Sequence, residues 1–176
     1  MQGLRLLGMP FLVALLACQE STQAPVVDVP TPQTDGAVVY LVVSPAHPRA
    51  GDTVVVTVLN RSGTRVGAVG SFSVRLGYDP AQSRFADAVP LSGGLRVHNP
   101  AQPGLVRVAG AAAGGFGSDT LFVGRFVASG AEAASGFRVE VSELTGATAF
   151  RDLLPVLRVQ RAAVLRDAPA VVRVGP

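Results

Sequence analysis

The chain has 176 residues, 48% of them hydrophobic and 15% charged, with 20 Gly, 13 Pro, two His and a single Cys. Its formal charge is +3, and its 15 basic residues are all arginines scattered singly, which excludes the basic stripe of a nucleic-acid binder. One cysteine excludes an internal disulfide, so the core alone must stabilise the single domain that this length suits. The Val-, Ala- and Gly-rich composition, punctuated by Pro, favours strands and turns over helices.

At the N-terminus, Arg5 precedes an apolar run from Leu6 to Leu16, broken by Gly8 and Pro10, and then Ala17 and Cys18. Leu15-Leu16-Ala17-Cys18 resembles the lipobox of a bacterial lipoprotein signal peptide. The resemblance implies removal of residues 1–17, a thioether from Cys18 to diacylglycerol and acylation of the freed amine. A transmembrane anchor, or a cleaved secretory signal with an incidental cysteine, is the alternative. A membrane span needs about 20 apolar residues, and this run has the length of a signal h-region instead. Each buried CH₂ adds about 0.8 kcal/mol, so several acyl chains would hold the protein on a bilayer. Gln19 stands where an aspartate would retain an enterobacterial lipoprotein in the inner membrane. The expected location is therefore the cell envelope, at the outer membrane or cell surface.

Residues 18–36 hold Pro25, Pro30 and Pro32 among scattered polar residues and read as a lipidated Cys and flexible tether. At about 3 Å per residue such a segment spans roughly 50 Å. From Ala37 the pattern changes to short apolar runs between turn residues. Strands are predicted at Ala37–Ser44, Asp52–Asn60, Val69–Tyr78, Phe85–Val89, Leu95–Asn99, Leu105–Ala109, Leu121–Ala128 and Phe137–Ser142. In the third, Phe72, Val74, Leu76 and Tyr78 alternate with Ser71, Ser73, Arg75 and Gly77, the period of a half-buried strand. Gly110–Asp119 reads as a flexible inter-strand loop; Phe116 stands where a phosphate loop needs Lys. Leu153–Val164 supplies either a last strand or a short helix through Leu157, Arg161 and Leu165. The sum is an all-β, antiparallel sandwich over residues 37–165, with 166–176 as a tail or extra edge strand.

Four stretches in order carry a resemblance: Ala50-Gly51-Asp52-Thr53-Val54-Val55-Val56, then Gly70 to Pro80 ending in Tyr78-Asp79-Pro80, then Pro103-Gly104-Leu105-Val106-Arg107-Val108-Ala109, then Leu121 to Val127 with Phe126. Over roughly residues 37–145 the chain resembles the cohesin domain. The resemblance implies a jelly-roll sandwich of about nine strands, related in fold to certain carbohydrate-binding modules. It also implies capture of dockerins, calcium-bearing modules carried by polysaccharide-degrading enzymes, with any calcium on the partner and no cofactor here. Tyr78, Asp79 and Pro80 mark the fold: Asp79 can bond a backbone N–H two residues on, and Pro presets φ.

Enzymatic signatures are weak. His47 lies between prolines and His98 precedes Asn99-Pro100, neither near a Gly-x-Ser-x-Gly elbow. Two isolated histidines and no spaced cysteines give no zinc pattern. Glu140 alternates with Val139 and Val141 and so faces solvent; with Glu143 nearby and Glu132 in a Gly-Ala-Ser loop, it makes no glycosidase pair by sequence neighbourhood alone. Trp is absent, and Tyr40, Phe72, Tyr78, Phe122, Phe126 and Phe137 fall in predicted strands, most of them inward. Few rings remain for a sugar platform. The expectation is a non-enzymatic, surface-anchored module that binds a protein; direct carbohydrate binding or a structural envelope role is the alternative.

Overall fold

Phe72, Val74 and Leu76 are buried while Arg75 between them is exposed, so the backbone follows the alternation written in this stretch. The computed structural model describes residues 31–160 and 164–167. The expected signal peptide with Cys18, most of the expected tether, and residues 161–163 and 168–176 lie outside the described residues. Within them run β1 (Ala37–Ser44), β2 (Thr53–Ser62), β3 (Val69–Gly77), β4 (Ser83–Ala88), β5 (Leu95–Gln102), β6 (Leu105–Ala111), β7 (Thr120–Ala128), β8 (Arg138–Gly146), β9 (Leu157–Val159) and β10 (Val164–Leu165).

The strands form two sheets. The first has the order β10-β1-β2-β7-β4, with β9 also paired to β1, and the second has the order β5-β6-β3-β8. The chain repeatedly crosses between them, as a jelly roll requires. Val39, Leu41 and Val43 of β1, Val54, Val56 and Val58 of β2, and Phe122 and Phe126 of β7 meet Phe72, Val74, Leu76, Val106, Val108, Val139 and Leu144 from the facing sheet. Each such side chain stabilises the fold by about 1.5–3 kcal/mol on full burial. Phe126 packs edge-on against Tyr78, Phe85 and Phe137, with ring centroids 5.2, 5.3 and 4.8 Å away.

Several expectations need correction. The expected sandwich forms with its long strands antiparallel, but the short strands β9 and β10 both join it parallel to β1. The chain leaves β8, crosses back to the first sheet and arrives alongside β1 in the same direction. Of the two alternatives for Leu153–Val164, the strand forms, as β9 at Leu157–Val159 after a short 3-10 turn at Leu154–Val156, and Leu157 and Leu165 both lie in strands. The glycine-rich loop before β7 is anchored, not free. Phe116 is buried against Phe72, and its N–H donates to the Val69 carbonyl at 2.9 Å. Gly110 makes the room: a Cβ there would stand 2.5 Å from the Phe72 ring. Tyr40 is buried but points away from the core, in a separate cluster with Val38 and Val42. Finally, β8 continues to Gly146 through a bulge between its pairings of Val141 and Glu143 with β3.

Residues 33–36, at the end of the expected tether, form a turn bonded to the loop after β2. The Gly63 N–H donates to the Gly36 carbonyl and the Arg65 N–H to the Thr34 carbonyl, with Arg65 3.6 Å from Asp35.

Candidate functional site

The two outer faces of the sandwich differ in what they leave open. On the first sheet, Val38, Tyr40, Val42, Thr57 and Val123 point away from the core yet are buried, Val123 completely. Burial raises the Tyr40 hydroxyl pKa above its ordinary value, with Arg61 acting in the opposite sense. On the second sheet the outward side chains stand in solvent or are only partly covered. They are Leu95, Val97 and Asn99 of β5, Leu105, Arg107, Ala109 and Ala111 of β6, Ser71, Ser73, Arg75 and Gly77 of β3, and Arg138, Glu140 and Glu143 of β8. Gly77 alone of these is buried.

The register sorts this face into two halves. At one end Leu95 pairs with Ala111 and Val97 with Ala109, and the two β5 residues are 69% and 56% exposed. Towards the other end Arg75 lies opposite Arg107 on one side and Glu140 on the other, and Gly77 lies opposite Leu105 and Arg138. The Arg138 side chain crosses Gly77 so closely that a Cβ there would be 2.9 Å from its Cγ and 2.8 Å from its Nε. A depression of about 520 Å³ opens beside it, lined by Arg75, Gly77, Tyr78, Gln102, Leu105 and Arg138 among others.

Strict alternation would send Glu140 and Glu143 to opposite faces. The bulge at Ser142 brings both outward, Glu140 opposite Arg75 and Glu143 opposite Ser73. The Ser71 hydroxyl donates to Glu143 Oε1 at 2.6 Å, and the Ser142 hydroxyl to the Ser73 carbonyl at 3.2 Å. Sequence reading did not single out Arg75, Arg107 or Arg138 as a group. The signal for Arg75 was its outward position in β3; the other two needed the strand order.

Tyr78 is buried against Phe126 and Phe137. Asp79 Oδ1 accepts the Ala81 N–H at 2.9 Å, and the Tyr78 N–H donates to the Gly104 carbonyl. Gly104, at φ +82°, packs against Tyr78 and Pro80. These three residues thus wall one end of the arginine-lined depression.

The residues weighed for catalysis are not assembled. His47 is exposed in the loop after β1, and His98 lies against Phe85 and Phe122 at the mouth between the sheets. Glu132 sits in a 3-10 turn at Ala131–Ala134. Among the described residues no three His, Cys, Asp or Glu side chains are grouped to hold a metal ion. Phe150 is the large exposed ring, at 79%; it lies in the loop after β8 and not on the open face.

No family model and no curated protein matches the chain. Its fold is similar to that of a type II cohesin domain from the cellulosome of Acetivibrio cellulolyticus, at 12% identity and a TM-score of 0.55 over 74% of this chain and 95% of that one. The chain has a cohesin-like fold. A non-cellulosomal cohesin from the archaeon Archaeoglobus fulgidus is similar at 16% identity and a TM-score of 0.53, covering 73% of this chain and 89% of that one. The sixth cohesin of scaffoldin B from Acetivibrio cellulolyticus, solved with a mutant Cel5 dockerin, is similar at 18% identity and a TM-score of 0.51, covering 73% and 99%. At these identities the likeness is one of cohesin architecture.

Proposed function

We propose that this chain is a non-enzymatic, cohesin-like module that captures a protein partner on the open face of its four-stranded sheet. The carrying observation is a contrast between the faces. Val38, Tyr40, Val42, Thr57 and Val123, outward on β1, β2 and β7 of the larger sheet, are buried, and its exposed outward groups are chiefly polar, such as the Asp87–Arg125 pair, whereas the smaller sheet exposes apolar Leu95 and Val97 beside Arg75 and Arg107. Exposed apolar residues beside charged ones are the makings of a protein contact. That face carries no aromatic ring, as stacking on sugars or bases would require.

The partner that the fold suggests is a dockerin-bearing polysaccharide-degrading enzyme, because cohesins of this architecture have been solved with dockerins. Calcium, on this reading, belongs to the partner. The lipobox-like Leu15-Leu16-Ala17-Cys18 supports attachment to the cell envelope through lipid on Cys18, at the outer membrane or cell surface. Direct carbohydrate binding is a second reading supported by Phe150 alone, one ring where a platform uses several.

The test immobilises the full chain and captures proteins from an extract of the producing organism, first with calcium and then with chelator. Release by chelator of a protein with paired calcium loops supports dockerin capture. Capture indifferent to calcium overturns it, and retention on insoluble polysaccharide that vanishes in Phe150→Ala would move the reading to sugar. Cys18→Ser, followed by loss of labelled fatty acid from the protein, tests the anchor.

A further inference from the structure

Arg75 and Arg107 are direct cross-strand neighbours, and Arg138 lies across Gly77, two residues along β3 from Arg75. Residues so paired have Cβ atoms about 4.5–5.5 Å apart, and like charges there destabilise a sheet. Glu140, opposite Arg75 on its other side, offsets only part of the conflict. The ion pairs among described residues are Arg65 with Asp35 and Arg125 with Asp87, so none of the three arginines has a carboxylate in salt-bridge reach. Arg107 donates one long hydrogen bond to Gln102, and the nearest acidic neighbour in register, Glu140, is one carboxylate among three guanidiniums. Glu143 is engaged by Ser71.

Resting on the reading that this face captures a protein, we infer that it selects an acidic one: a partner surface that sets carboxylates among Arg75, Arg107 and Arg138 and covers Leu95 and Val97 with an apolar side chain. Guanidiniums take carboxylates in forked hydrogen bonds, and three in one cluster favour a group of acids over a single one. The apolar half argues for a folded protein over a free anionic polymer, since 69% and 56% exposure at Leu95 and Val97 leaves apolar area that only a packed partner removes from water. Charge at one end and apolar contact at the other also give the complex a direction, because a partner turned end for end would meet arginine with its apolar side chain.

Two measurements test this. In the first, the full ¹⁵N-labelled chain is titrated with a capped hexaglutamate peptide, and with hexaglutamine as the neutral match, at low and high salt. Hexaglutamate is expected to shift the side-chain Nε–H signals of Arg75, Arg107 and Arg138 ahead of the other arginines, less so at high salt, with hexaglutamine silent. Equal shifts at all arginines, or none, overturn the acidic preference. In the second, the calcium-dependent capture is repeated with Arg75→Glu/Arg138→Glu and with Leu95→Asp/Val97→Asp, each checked for an unchanged thermal melt. Loss of about tenfold or more in affinity with both variants supports the inference. Loss with the β5 variant alone leaves the face as the capture site and overturns its acidic selectivity; no loss with either overturns the face itself.

Discussion

Arg138 lies across Gly77, its Nε 2.8 Å from where a Cβ at Gly77 would stand. Gly77 has no need of positive φ, since it is absent from the residues in that region. Its value is space. An Ala there meets a flexible side chain, which can swing away, and Ala suits a strand interior better than Gly by roughly 0.5–1 kcal/mol. Gly77→Ala is therefore expected to hold or slightly raise the urea midpoint while moving Arg138 off the sheet. A change in the Arg138 Nε–H signal with stability kept would show this, and a large loss of stability would refute it.

Arg96 rivets the two sheets. From β5 its Nε donates to the Leu121 carbonyl at 3.0 Å and its Nη2 to the Thr120 carbonyl at 3.3 Å, both on β7 of the other sheet. Its Nη1 reaches the Ser92 and Gly93 carbonyls, and its Cζ sits 4.3 Å from the Phe116 ring centroid. Burial lowers its pKa from the usual arginine value. Arg96→Ala should cost about 2–3 kcal/mol in urea unfolding, from lost charged hydrogen bonds and ring contact. Lysine keeps the charge without the planar fork, so Arg96→Lys is expected to recover less than half; full recovery would mean charge alone matters.

Phe126 is the centre of the ring cluster and has no solvent exposure. Phe126→Ala should lower stability by about 3–5 kcal/mol, read from denaturant midpoints with the slope unchanged. A loss below about 1 kcal/mol would mean the neighbouring rings collapse into the gap.

Asp87 and Arg125 form a two-pronged surface pair across β4 and β7, with both N–H···O contacts at 2.6 Å. The hydrogen bond from Arg125 holds the Asp87 carboxyl below its ordinary pKa. A depressed acid stabilises the folded state above its unfolded pKa of about 3.9 and loses that contribution as pH falls through the lower folded value. The Tm gap between the native chain and Asp87→Asn should thus be present at neutral pH and close in acid. It should also shrink with added salt, as for any exposed pair. A gap independent of pH would contradict this origin.

The inner face of β3 is legible in the sequence because polar and apolar residues alternate without exception from Ser71 to Leu76. β1 is different: Ala37 to Val43 is apolar throughout, the mark of a strand buried on both sides, and periodicity cannot assign Tyr40 to either face. The bulge at Ser142 has no sequence mark, since it is a property of how β8 pairs with β3. The arginine cluster is hidden for a similar reason. Its members lie in three separate strands, and only the order β6-β3-β8 brings them together.

The parallel edge of the larger sheet bears on how this protein is made. β1, the first of the described strands to emerge during synthesis, keeps this edge without the partners it has in the fold until Leu157–Val159 and Val164–Leu165 arrive. Contacts so distant in sequence form late and slowly. A chain whose first described strand waits for residues more than a hundred positions further on has a built-in delay, holding one side of β1 open until Val164–Leu165 have been made.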